Sequence, residues 1–241
     1  MSTSHNLVKR FDNYIIKSYG AKTPYIKYFF RMFIGFLGFN QPIEYGSAHC
    51  RKKFEEGVLN LWADYGLNVP DIIQVTDQEL HMSIIKGRTF NDIFSKNIDF
   101  DLIDKLFREI NERHVLACKY NEPLLCHIDA NLRNLIYSDN KIFHIDFEMG
   151  REYEDVDMWS QREVTKLLIS LSQATDKDTM QNILHRFLDT YTQVHIIENF
   201  INLKIGGKSN KSIVKKIEKN GYTLINLAVD LNEHLDKRTN D

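Results

Sequence analysis

Cysteine is scarce in this chain of 241 residues: Cys50, Cys118 and Cys126 are odd in number, widely spaced and form no C-x-x-C. That pattern excludes a disulfide framework and a zinc ribbon, and it points to a reducing compartment. No run approaches the ~18–20 uninterrupted apolar residues that a bilayer-spanning helix needs. The opening residues, MSTSHNLVKRFDN, hold no apolar core of a signal peptide, so none is expected. Internal repeats and low-complexity tracts are also missing. With 43% hydrophobic and 27% charged residues, the composition is that of a globular protein able to bury a core as two lobes or two small domains.

The net charge of −2 conceals an asymmetry. Residues 1–53 hold nine Lys or Arg against Asp12 and Glu44, a balance of +7, so the remainder carries −9. A basic end on an acidic body suits an anionic partner, although a solvated face has the same composition.

Strand formers come early and helix patterns late. Leu7–Phe11 and Tyr14–Tyr19 flank Asp12-Asn13 as a hairpin. Tyr25–Phe39, YIKYFFRMFIGFLGF, is dense in aromatics and interrupted by Lys27 and Arg31. It reads as a buried helix, or an interfacial one whose cations snorkel. Cys50–Tyr65 is a helix with a stripe of Phe54, Val58, Leu61 and Tyr65, and Gly66 follows as its C′ residue. A strand pair over Ile72–Val75 and Leu80–Ile85 ends at Lys86-Gly87. Helices are expected over Phe90–Phe94 and Phe100–Tyr120, the latter with Leu102, Ile103, Leu106, Ile110 and Val115 at helical spacing. Further helices are expected over Asp157–Leu171, Asp178–Tyr191 and Tyr222–Leu235. The turn Gly206-Gly207-Lys208-Ser209-Asn210 lacks the spacing and the preceding strand of a P-loop. Lys211, Lys215, Lys216 and Lys219 after it read as solvated helix surface.

Chemistry concentrates in Leu124–Gly150, LLCHIDANLRNLIYSDNKIFHIDFEMG. Two short apolar runs join at Ser138-Asp139-Asn140, which is turn chemistry. Alternation in the second run places His144 and Asp146 on one strand face. Phosphoryl transfer asks for a carboxylate near the attacking hydroxyl, oxygen ligands for Mg²⁺ and a cation on the phosphates. Asp129 and Asn134 keep the D-x-x-x-x-N spacing of a kinase catalytic loop, and Asp146-Phe147-Glu148 stands where D-F-G belongs.

On these residues the chain resembles the protein-kinase-like superfamily. The resemblance is to its small divergent branches, the lipopolysaccharide (Kdo/heptose), RIO and KEOPS-complex kinases. It implies an α+β, two-lobed fold: a reduced N-terminal lobe over residues 1–87 and a mostly helical C-terminal lobe over 88–241 with the catalytic and metal-binding loops. It implies Asp129 as catalytic base or hydroxyl-orienting group, Asn134 and Asp146 as metal ligands, and Lys17 as the phosphate-binding lysine, with Lys9 as its rival. A helix glutamate would hold that lysine. With Phe54 at zero and about 100° per residue, the stripe lies near 0–40°, Glu55 near 100° and Glu56 near 200°, which selects Glu55. Val156-Asp157-Met158-Trp159 resembles the helix whose aspartate braces the catalytic loop backbone. His127 is read as loop support, and His144 has no assigned role.

The chain departs from the family pattern at several points. The loop reads His-Ile-Asp instead of His-Gly-Asp, Glu148 replaces the D-F-G glycine, and residues 1–16 contain no glycine and so no glycine-rich loop. Only eleven positions separate Asp146 from Asp157, so regulation through a long activation segment is not expected. Asn131 stands where protein kinases often carry Lys.

The expected function is an ATP-dependent kinase that uses Mg²⁺ or Mn²⁺ and has a hydroxyl-bearing acceptor, a lipopolysaccharide-type or lipid-linked sugar. The expected location is cytoplasmic, with peripheral contact at the inner face of the membrane through Tyr25–Phe39. Nucleic acid is not an expected partner. The alternatives are a serine/threonine protein kinase of the RIO/KEOPS type, a pseudokinase scaffold, and a hydrolase or oxygenase with a metal on His127-x-Asp129 and His144-x-Asp146.

Overall fold

A computed structural model of the chain describes residues 6–20, 48–148, 155–198, 229–233 and 235. The aromatic stretch Tyr25–Phe39 and the lysine-rich segment after Gly206 lie outside these residues, as does most of the helix expected over Tyr222–Leu235. The chain divides into two units, Met1–Lys86 with Asp146–Gly150, and Gly87–Ile145 with Arg151–Asp241.

The first unit is an antiparallel sheet with one helix. Strands β1 (Leu7–Arg10), β2 (Tyr14–Ser18), β3 (Ile72–Val75) and β4 (Glu79–Ser83) lie in the order β1-β2-β4-β3. Asp12-Asn13 turns the first hairpin, closed by Phe11 N–H donating to the Tyr14 carbonyl at 2.9 Å. Every residue of β1 is exposed, and Lys9 and Arg10 put charge on this edge strand, which discourages pairing with another chain. β2 is central, with Lys17 between Val8 and Leu80.

Helix α1 (Ala48–Asp64) buries Arg51, Lys52, Glu55, Val58, Leu59 and Trp62. The expected stripe is therefore rotated: Val58 lies on the buried face, but Tyr65 is 37% exposed. An apolar-only pattern misplaces the face because three charged side chains belong to it. The helix ends as expected on Gly66, at φ +70°. Gly66 N–H donates to Ala63 O and Leu67 N–H to Trp62 O, both at 2.9 Å, which is a Schellman cap.

The second unit is mostly helical. Gly87 opens it where a Cβ would run into the Tyr137 carbonyl. Strand β5 (Arg88–Thr89) leads into α2 (Phe90–Phe94), whose N-terminus is capped by the Thr89 side chain. α3 (Phe100–Tyr120) starts on an Asp99 cap and ends on Asn121 at φ 51°. Its buried face runs Leu102, Ile103, Leu106, Phe107 and Ile110, then turns polar at Arg113 and His114; Val115, expected in the stripe, is 40% exposed. Strands β6 (Leu135–Ser138) and β7 (Lys141–His144) pair antiparallel beside β5. Their turn residues Asp139 and Asn140 have φ of 48° and 60°, the two left-handed residues of a type I′ turn. α4 (Val156–Ala174) and α5 (Lys177–Thr190) follow.

Val164, Leu167, Leu168 and Leu171 of α4 join Met180, Ile183, Leu184 and Phe187 of α5 and the apolar face of α3 in one core. Each such side chain contributes about 1.5–3 kcal/mol on burial. Among the described residues, no helix is long and apolar enough to cross a membrane.

Candidate active site

In the first unit the site centres on Lys17. β2 points this side chain inward, where it is 7% exposed, whereas its rival Lys9 lies on exposed β1. A buried ammonium needs acceptors. Lys17 Nζ donates to Glu55 Oε2 at 2.7 Å, Glu55 Oε1 at 3.0 Å and Asp146 Oδ1 at 2.6 Å, and Glu148 Oε2 lies 3.8 Å away. Burial alone would lower the Lys17 pKa, but Glu55, Asp146 and Glu148 together raise it. Tyr19, two residues on, donates its hydroxyl to Glu55 Oε2 at 2.5 Å. Glu56, the alternative on α1, pairs with Lys52 instead.

Asp146 is held by its neighbours. The Phe147 ring packs edge-on against Trp62 of α1, with centroids 4.8 Å apart. Glu148 accepts from Asn6 and faces Arg51 Nη1 at 3.5 Å. Burial raises the Glu148 carboxyl, with Lys17 opposing. Asp146 itself has φ 69°, a left-handed conformation that Asp tolerates better than most residues. The expectation that Asp146 shares a strand face with His144 is corrected here: β7 ends at His144, and Ile145 N–H donates to Asn134 O before the chain turns.

In the second unit, Asp129 and Asn134 come together as their spacing suggests. Asn134 Nδ2 donates to the Asp129 carbonyl at 3.0 Å and to Oδ2 at 3.2 Å. Lys166, from α4, reaches Asp129 Oδ1 at 3.2 Å. Asn131 is spent inside the loop: its Nδ2 donates to the Asp129 carbonyl and its Oδ1 accepts from Arg133 N–H.

What braces this loop is not Asp157, which faces His195 Nε2 at 3.3 Å. Glu163, fully buried, accepts the backbone N–H of His127 at 2.6 Å, Arg113 Nη1 and Nη2 at 2.8 and 2.5 Å, and His114 Nε2 at 2.9 Å. Arg113 Nη1 also donates to the Leu125 carbonyl, and Nε to Glu109 at 3.0 Å. Burial would raise the Glu163 carboxyl; Arg113 and His114 hold it well below its ordinary value. Burial lowers His114, leaving its Nδ1 to accept from the Tyr191 hydroxyl at 2.6 Å.

The paired histidines bond to one another. His144 Nε2 lies 3.2 Å from Glu109 Oε2, and its Nδ1 lies 3.1 Å from His127 Nδ1, so one of the two facing nitrogens donates to the other. The His127 ring thereby ties the loop to the end of β7. Among the described residues, the groups whose ligand atoms lie within 4.8 Å of one another are His114/Cys126/Glu163, Cys118/Asp157/His195 and Glu55/Asp146/Glu148. None contains His127 or His144, so the structure lends no ligand set to the hydrolase or oxygenase reading.

Glu55, Asp146 and Glu148 supply oxygen donors alone, the chemistry that suits Mg²⁺ or Mn²⁺. Asn134, in the second unit, has its amide nitrogen committed to Asp129. These residue types fit a hard divalent ion.

No family model and no curated protein matches the sequence. Solved structures do. WaaP in complex with acyl carrier protein matches at a TM-score of 0.51 and 12% identity, over 91% of this chain and 88% of that one. The streptomycin–ATP–APH(2")-IIa ternary complex matches at 0.43 and 12%, over 96% and 91%. Rio2 kinase from Chaetomium thermophilum matches at 0.38 and 13%, over 95% and 66%. At such identities a likeness speaks for fold alone. An antiparallel sheet at the N-terminal end and helices at the C-terminal end, matched by WaaP over nine-tenths of the chain, give an α+β, protein-kinase-like fold.

Proposed function

We propose that the chain is an ATP-dependent phosphotransferase that moves the γ-phosphate of ATP to an alcohol hydroxyl. The observation that carries this reading is the buried Lys17–Glu55 ion pair with Asp146 on the same ammonium. A sheet that needed only packing would put an apolar side chain at that position; a buried cation held beside carboxylates is ready to meet phosphate. Lys17 binds phosphate oxygens, Glu55 and Tyr19 fix its position, and Asp146 and Asn134 offer oxygens to a divalent cation. When bound, that cation offsets the charge of the phosphates. Asp129 orients the acceptor hydroxyl and takes its proton, and Lys166 supplies positive charge next to that carboxylate, where Asn131 does not.

The acceptor favoured is a lipopolysaccharide-type or lipid-linked sugar, supported by the basic and aromatic sequence of Tyr25–Phe39. The test is transfer of labelled phosphate from ATP to a cell lysate split into lipid and protein fractions. Label in the lipid fraction that falls by ~10²–10⁴ with Asp129→Asn supports the reading. Label confined to protein moves the acceptor to a protein hydroxyl. Label insensitive to Asp129→Asn removes the role of that residue.

A further inference from the structure

Two of the three groups of metal-ligating atoms already contain a counter-charge: Lys17 lies among Glu55, Asp146 and Glu148, and Arg113 lies on Glu163. The third is different. Cys118 from the last turn of α3, Asp157 from the first turn of α4 and His195 from the helical run 194–198 bring a sulfur, an oxygen and a nitrogen within 4.8 Å of one another. Asp157 is also the residue whose bracing job went to Glu163, so the active-site reading leaves it without a task.

The spacing, which is also that of a hydrogen bond, accommodates a cation. Tetrahedral zinc, with Zn–N and Zn–O legs of ~2.0–2.2 Å, sets its nitrogen and oxygen ligands ~3.4 Å apart. His195 Nε2 and Asp157 Oδ1 are 3.3 Å apart. A surface His–Asp pair needs no thiol, yet the Cys118 sulfur lies within 4.8 Å of both. The donor set of sulfur, imidazole and carboxylate is wrong for Mg²⁺ and right for zinc. The Asp157 and His195 side chains are 42% and 48% exposed, which gives an ion a route in and leaves a fourth position for water. Asp155, the N-cap residue of α4, adds negative charge two residues from Asp157.

We propose that Cys118, Asp157 and His195 form a binding site for a zinc-class divalent cation, completed by water, that staples the end of α3 to the start of α4 and to residues 194–198. The site is independent of nucleotide binding. Its three ligands are far apart in sequence and come from three helical segments, so an ion there ties the second unit together at atoms where His195 and Asp157 share an exposed hydrogen bond.

The experiment uses the full chain, stripped with chelator and kept reduced. Titration with Co²⁺ should produce a thiolate-to-cobalt charge-transfer band that saturates near one equivalent and is displaced by Zn²⁺. Cys118→Ser should remove the band, while Cys50→Ser, at the exposed cysteine, should leave it. Asp157→Asn and His195→Gln should weaken Zn²⁺ binding by at least ~10-fold, the scale on which even outer-shell partners of a metal act. Zn²⁺ should raise the melting temperature of the wild type and of Cys50→Ser but not of Cys118→Ser. Metal-free melts of the variants show whether they fold; if Cys118→Ser does not, the Zn²⁺ affinity of His195→Gln decides the matter. No band in the wild type, or a band and an affinity unchanged in these variants, overturns the proposal.

Discussion

Lys17 Nζ lies 2.7 Å from Glu55 Oε2, and both side chains are almost wholly buried. Removing one partner of such a pair leaves an uncompensated charge, at a cost of ~3–5 kcal/mol. Lys17→Met strands Glu55 among Tyr19, Asp146 and Glu148 and should lose about that much in urea denaturation, together with nucleotide binding. Lys17→Arg keeps the charge but not the compact ammonium that Glu55 and Asp146 share, so it should recover stability better than binding.

Acid stability should follow the carboxylates around Arg113. Burial would raise Glu109, yet Arg113 and His144 bring it to about 2 from 4.5, and Glu163 is lowered as well. A folded-state pKa below the unfolded one means stabilisation that is complete above the unfolded value and lost as pH falls toward the folded one. Unfolding free energy should therefore decline from about pH 4.5 to about pH 2. Glu109→Gln should flatten that limb, as read in denaturant titrations across this window.

Lys166 separates catalysis from stability. Its side chain is 54% exposed, and its ion pair with Asp129 is of the kind worth ~0–1 kcal/mol. Lys166→Ala should melt within a degree or two of the wild type, but transfer phosphate ~10-fold more slowly, which corresponds to ~1.4 kcal/mol of barrier. Lys166→Arg should restore most of the rate. An unchanged rate in Lys166→Ala would make the contact incidental.

At Asp146 the backbone and the carboxylate can be tested apart. Asn tolerates φ 69° nearly as well as Asp. Asp146→Asn should fold normally and lose metal-dependent nucleotide binding. Asp146→Val carries a β-branched residue into the left-handed region and should cost a further ~1–2 kcal/mol, visible as a lower melting temperature.

Much of this is legible in the sequence because period and punctuation are strong. Ser138-Asp139-Asn140 announces the β6–β7 turn, Gly66 the end of α1, and D-x-x-x-x-N the meeting of Asp129 with Asn134. Glu163 escapes a sequence reading because a glutamate in Ser-Gln-Arg-Glu-Val looks like helix surface. Its signal is positional: Trp159, Glu163, Leu167 and Leu171 are spaced by four along α4, so a charge stands on the buried stripe. Arg113 and His114 continue the face of α3 in the same way. A charge on an apolar stripe finds its partner only in three dimensions, which is also why sequence alone gives Asp157 the task that Glu163 performs.

The central claim is that Lys17 and Asp146 serve a metal–nucleotide complex. The most direct measurement is the melting temperature of the wild-type chain and of Asp146→Asn with ATP, in the presence and absence of Mg²⁺ or Mn²⁺. At 100 times the dissociation constant the complex should add about 2.7 kcal/mol to wild-type stability, a shift of a few degrees that requires the metal and is absent in Asp146→Asn. A wild-type chain that melts at the same temperature with and without ATP, in either metal, would contradict the account and favour a scaffold that keeps the kinase fold without its chemistry.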